Sequence, residues 1–164
     1  MKIKKNLQLL RNDISKLYNQ INKKFDKLEI NNINIQEIKR NHGKYIGEVV
    51  NGLAEGKGIV YFINGDRYEG DFKNGQPNGK GIYYHHNGDR YEGDFRNDKA
   101  EGKGIYYFNN GDRYEGDWGN DKREGKGIYY CNNGDRAMGD YHNGLPIGRH
   151  AKLTKNGDVK TINY

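Results

Sequence analysis

Proline, cysteine and long apolar runs are all scarce in this 164-residue chain. Two prolines leave the backbone free to donate ladder hydrogen bonds almost everywhere, which suits strands. A single cysteine, Cys131, excludes an internal disulfide and suits a reducing compartment. No stretch approaches the roughly 18 consecutive apolar residues that a membrane-spanning helix needs. The lysine-rich start lacks both an uninterrupted apolar core and a small-residue cleavage site. The expected location is therefore cytoplasmic, with no secretion and no transmembrane segment. Apolar residues reach only 33%, too few for a thick globular core.

Glycine and tyrosine are abundant instead, at 24 and 14 residues, and they recur in register. The stretch 68–90, YEGDFKNGQPNGKGIYYHHNGDR, returns as 91–113 and 114–136 with few changes. A looser copy occupies 45–67 and a decayed one 137–159, with no insertion in the 23-residue period. Self-similarity at one fixed spacing marks a repeat array. The organisation expected is an arm and linker at 1–44, an array at 45–159 whose last copy is a cap, and a tail at 160–164.

The charge is uneven. Residues 1–44 carry 11 Lys/Arg against 4 Asp/Glu, a surplus of seven, whereas 45–164 carry 17 against 18. The basic character belongs to the arm. It lacks any base-reading pattern, so nucleic acid is not an expected partner. In the arm, Ile3, Leu7, Leu10, Ile14, Leu17, Ile21 and Leu28 fall at helical spacing, close to a heptad seam. This predicts an α-helix from about residue 2 to 28. Its stripe has three possible uses: packing on the chain's own sheet, pairing with another helix, or lying on anionic lipid.

Within a copy, Tyr68, Gly70 and Phe72 alternate with Glu69 and Asp71, the period of a strand. Residues 80–86 read as a second strand, with Ile82 and Tyr84 on one side and Gly81 and Tyr83 on the other. Asn87-Gly88, repeated in every copy, reads as a type I′ hairpin turn. The slot beginning Asn74-Gly75 holds residues that tolerate a left-handed backbone. Both connections are too short for a crossover, so neighbouring strands are antiparallel. The expected fold is mainly β: an elongated single-layer antiparallel meander of about ten strands, plus the N-terminal helix. Tyr68, Tyr91 and Tyr114 should form one row, Phe72, Phe95 and Trp118 another.

The pattern YxGxF/W followed by GxGxxxxxxG at a period of 23 resembles the MORN (membrane occupation and recognition nexus) repeat. It matches at Tyr68, Gly70, Phe72, Gly79, Gly81 and Gly88 and at their equivalents in the next two copies. The resemblance implies an elongated single-layer sheet with an aromatic-lined groove. It also implies scaffolding, docking of peptides or helices, dimerisation and, in some members, membrane association.

Catalysis finds little support. Asp66, Glu69 and Asp71 resemble a carboxylate cluster, but two further copies repeat it, as a charged solvent face would. Their spacing matches no calcium loop. EGKG leads into a strand, not into the helix N-terminus a phosphate loop requires. His85-His86 and Cys131 occupy drifting positions without a metal-ligand or nucleophile pattern. No enzyme activity, metal or cofactor is expected. The expected function is a non-catalytic interaction or scaffold subunit that docks a helix or extended segment of another protein, and the MORN resemblance implies a cytoskeleton-associated or ciliary setting for it. The candidate partner-binding residues are Tyr68, Phe72, Tyr84, Tyr91, Phe95, Tyr107, Tyr114, Trp118 and Tyr130. A homodimer, and a lipid tether through the basic arm, are the alternatives.

Overall fold

The computed structural model of the protein describes residues 35–40 and 42–164. The expected helix and its seam, Ile3 to Leu28, lie outside the described residues. Those described belong to one compact unit beginning at residue 34. They form twelve strands: β1 (Ile35–Arg40), β2 (Gly43–Val50), β3 (Leu53–Phe62), β4 (Arg67–Lys73), β5 (Gln76–Tyr84), β6 (Arg90–Arg96), β7 (Lys99–Tyr107), β8 (Arg113–Gly119), β9 (Lys122–Tyr130), β10 (Arg136–His142), β11 (Leu145–Leu153) and β12 (Val159–Asn163). All twelve pair antiparallel in sequence order within one sheet.

Two strands exceed the ten expected. Residues 35–40, assigned to the arm by sequence, form β1 because Ile38 lies opposite Tyr45 and packs against the core. Residues 159–163, split by sequence between the last copy and a tail, form β12. There Ile162 lies opposite His150.

The turn assignment is reversed. Asn74-Gly75 has φ of 50° and 84°, and Asn97-Asp98 and Asn120-Asp121 are also positive at both positions. These are the type I′ turns. In the Asn87-Gly88 slot only glycine is left-handed, at 94°. His85 N–H donates to Asp89 O, and Gly88 N–H donates to His85 O. That is a type I turn closed by a left-handed glycine. The Asn87 side chain explains the difference. Its Oδ1 accepts from Asp89 N–H at 2.9 Å and holds Asn87 in the ordinary backbone region.

Each repeat hairpin carries a register shift, between Gly70 and Phe72 in β4 and at equivalent places in β2, β6, β8 and β10. Gly79 supplies the left-handed residue opposite, at φ 115°. The Asp71 carboxylate accepts from Lys80 N–H at 2.9 Å, satisfying a donor near the irregularity.

Opposed residues share a face, so one face carries Tyr68, Tyr83, Gly70, Gly81, Phe72 and Pro77. Here the tyrosine ring lies over two glycines. A Cβ at Gly81 would stand 2.5 Å from Tyr68 Cε2. The tyrosine hydroxyl then donates to the carbonyl of the residue three positions on. Tyr45 bonds Glu48 at 2.7 Å, Tyr68 bonds Asp71 at 2.9 Å, and Tyr91 bonds Asp94 at 3.0 Å. Rings from successive copies meet edge to face, at 5.0 Å for Tyr45–Phe72, 4.9 Å for Tyr68–Phe95 and 4.9 Å for Tyr91–Trp118. Such pairs are favourable beyond their buried area. This spine is the core.

Candidate interaction site

The nine aromatic candidates do not share a face. Tyr68, Phe72, Tyr91, Phe95 and Tyr114 lie in the spine and are buried, none more than 8% exposed. They have almost no surface left to offer a partner. Trp118 is half-buried. It touches Tyr91, Tyr106 and Tyr114, and its indole N–H donates to Gly104 O at 3.2 Å. Tyr84, Tyr107 and Tyr130 lie on the opposite face, each under an arginine: Arg67, Arg90 and Arg113 at 4.1, 4.3 and 4.0 Å from the ring centroids. Guanidinium over a phenol ring is an electrostatically favourable stack.

That opposite face holds the large concavity, a groove of about 1440 Å³. Its lining runs from Ile35 on β1 to Arg149 on β11. The register alternates two residue types across its strands: Ile59, Glu69, Ile82, Glu92, Ile105, Glu115, Ile128. Beside this row runs a bare backbone strip, because the glycines at 58, 70, 81, 93, 104, 116 and 127 point to the aromatic face. Beyond the strip lie Lys57, Lys80 and Lys103, ion-paired across strands to Asp71, Asp94 and Asp117. The Glu row is balanced by Arg67, Arg90 and Arg113 at 3.6–3.7 Å. The groove therefore presents isoleucines between largely neutralised charges. The groove is legible in the sequence as the pairing of Glu69 with Ile82, whereas aromatic content is divided between the two faces.

At the turn end, the NGD aspartates Asp66, Asp89, Asp112 and Asp135 each join their copy to the next. Asp89 accepts from Tyr106 Oη at 2.8 Å and from Asn109 N–H at 2.8 Å. Asp112 accepts from Tyr129 at 2.7 Å and Asn132 at 2.8 Å. Burial alone would raise the Asp89 carboxyl, but the donors from Asn109, Tyr106 and Asn87 outweigh it and hold it below its ordinary value. For Asp112 the Asn132 amide and Tyr129 hydroxyl dominate, in the same direction. Asp66 is lowered too. Burial opposes the shift, and the His86 amide and ring, Tyr83 and Asn64 outweigh it. His86 thus serves a carboxylate cap, with Nδ1 2.8 Å from Asp66. Among the described residues, no group of three or more His, Cys, Asp or Glu could hold a metal ion, and no helix is long and apolar enough to cross a membrane.

The MORN repeat family model matches four consecutive stretches, 45–67, 68–90, 91–113 and 114–136, more than half of the sequence. The chain belongs to the MORN repeat family. No curated protein matches it. Among solved structures, the chain is similar to the TCP domain of Drosophila melanogaster SAS-4 (dCPAP), determined in complex with a proline-rich motif of Ana2 (dSTIL). Identity is 17%, the match covers 79% of this chain and 84% of that one, and the TM-score is 0.41. The family match stops at residue 136, yet β10, β11 and β12 continue the MORN sheet without a break.

Proposed function

We propose that this MORN array is a non-catalytic scaffold that docks a helix of another protein in the isoleucine–glutamate groove. The observation carrying this reading is the isoleucine spacing. Ile82, Ile105 and Ile128 recur every second strand, a separation of about 9.4–9.8 Å. Seven residues of α-helix rise about 10.5 Å. A helix laid across the strands, with apolar residues every seventh position, keeps step with that ladder over several contacts. The bare glycine strip lets its backbone approach closely. A groove of about 1440 Å³ gives it room.

This places docking on the face opposite the aromatic spine. The spine supports the reading indirectly, by fixing the sheet from behind so that the groove is formed in advance. The test is a photo-crosslinking residue at position 105, with adducts mapped in the native source. A captured segment with seven-residue apolar spacing is then synthesised and titrated. Ile82→Asp with Ile105→Asp should weaken it by about tenfold or more. Equal binding to the native chain and this variant would remove the groove from consideration.

A further inference from the structure

A second row of rings runs beside the spine: Phe62–Tyr83 at 5.7 Å, Tyr83–His85 at 4.7 Å, His85–Tyr106 at 5.8 Å, Tyr106–Phe108 at 4.7 Å and Phe108–Tyr129 at 5.7 Å. It stops there. The next ring position, filled by Phe62, His85 and Phe108 in earlier copies, holds Cys131. The one after, filled by Tyr83, Tyr106 and Tyr129, holds Lys152. Beside them, Ala137 stands where the other copies have a spine tyrosine. Two positions of this row, 131 and 152, are emptied of rings at one corner, and a cavity of about 220 Å³ lies there. A cavity of ~150 Å³ with apolar walls is enough for benzene.

The walls are suited to an arene. Tyr129, Tyr141, Tyr164, Ile162 and Pro146 line the cavity. The charged residues of the lining itself are Arg123, Arg136 and Lys152, with the Asp112 and Asp135 carboxylates close enough to act on the Cys131 thiol. Lys152 is tied to Asp135 at 2.9 Å. Arg123 donates to Gly144 O and lies 5.2 Å from the Tyr141 ring centroid, without an ion pair among the described residues. Arg136 also borders the space. The Cys131 thiol is pushed up, mainly by burial, so it is no anionic competitor.

We infer that this corner is a binding site for a single aromatic ring bearing a carboxylate, which completes the interrupted ring row while its anion meets Arg123. The ligand could be a small aryl acid or the free C-terminal tyrosine or phenylalanine of a peptide; ring and carboxylate are common to both. The site lies on the face opposite the groove, and its occupancy does not depend on the docking proposal.

The test uses 3-(4-hydroxyphenyl)propionate, its neutral amide, and a short peptide ending in tyrosine as free acid or amide, each titrated into the full chain by NMR. The acid forms should shift resonances of Cys131 and Lys152 and bind more tightly than the amides. Tighter binding of the peptide acid than of the small acid identifies a chain terminus as the source, and the reverse a metabolite. Lys152→Tyr and Cys131→Phe restore residues that other copies accommodate, and a tyrosine at 152 has the Asp135 partner its counterparts use. Each should fill the cavity, leave the fold intact by circular dichroism, and weaken the acid by about tenfold, the scale of one lost ring contact. Arg123→Gln should abolish the preference for acid over amide. Saturable binding unaffected by all three substitutions, or no binding to the native chain, overturns the site.

Discussion

His150 Nε2 lies 2.9 Å from the carbonyl oxygen of Asp140, in the place where Tyr68 bonds the carbonyl of Asp71. A carbonyl only accepts, so the imidazole proton is on Nε2. The last copy has lost its tyrosine to Ala137 and its second glycine to His150. The imidazole comes from the neighbouring strand and lies over Gly139, where a Cβ would stand 2.5 Å from His150 Cγ. It is 1% exposed and takes the tyrosine's part in the spine, 5.2 Å from Tyr141 and 4.8 Å from Tyr164. Two substitutions that read as decay are one exchange.

The exchange predicts a coupled pair. His150→Gly alone opens a hole and leaves Asp140 O without this donor, costing about 2–4 kcal/mol. Ala137→Tyr alone sends a ring into space the imidazole fills, costing about 1–3 kcal/mol. The double variant restores the arrangement of the other copies and should recover most of both losses. Urea unfolding of the four proteins measures the coupling. Additive losses would show that the two positions are independent.

Glycine replacements should separate sterics from backbone conformation. Alanine at Gly104 places Cβ 2.5 Å from Tyr91 Cε2, and the ring is held by its hydrogen bond and by Phe95 and Trp118. It should cost at least about 1–3 kcal/mol and displace the spine. Alanine at Gly144 meets nothing within 4 Å but must adopt φ of 85°. Its cost should be about 1–2 kcal/mol, with near-UV circular dichroism unchanged. Equal near-UV changes in both variants would contradict the steric account.

Acid should loosen the joints between copies. The carboxyls of Asp66, Asp89 and Asp112 have folded pKa values below the unfolded one. The unfolded chain therefore binds more protons as pH falls below about 5. Their contribution is fully present above that range and is lost as pH falls through the folded values. Melting temperature should drop on acidification in that window. Asp112→Asn should lower stability at pH 7 and make the acid drop shallower, because an amide does not titrate there. A slope identical to that of the native chain would show that Asp112 is not among the groups responsible.

The 23-residue period makes β2 to β11, their antiparallel order and the two faces legible, because alternation in Tyr68-Glu69-Gly70-Asp71-Phe72 fixes which side chains go together. Burial was not legible in the same way. Residue types alone predict that a single-layer sheet leaves its rings open, but Tyr68 and Phe95 cover one another and the glycines beneath. That closure depends on the irregular register after Gly70 and on contacts 23 or more residues apart. Residue 150 illustrates the other limit. A histidine in a glycine slot looks like drift until the strand pairing puts it beside Gly139. The accompanying loss of tyrosine at 137 was the available signal.

The two faces should respond differently to truncation. Phe95 packs at 4.9 Å on Tyr68 and 5.1 Å on Tyr91 and is 8% exposed. Phe95→Ala should cost about 3–5 kcal/mol. Because stability in an array is shared between neighbours, the loss should appear first as raised hydrogen exchange in the strands around β6. Ile105 is half-buried on the groove face, opposite Glu92 and Glu115 and outside the spine. Ile105→Ala should cost about 1 kcal/mol and leave exchange elsewhere unchanged, while removing one step of the ladder a docked helix follows. Hydrogen exchange with and without the captured segment separates the outcomes. If Phe95→Ala abolished segment binding without raising exchange, the spine would be a contact surface after all; if Ile105→Ala raised exchange throughout the sheet, the groove face would be structural core.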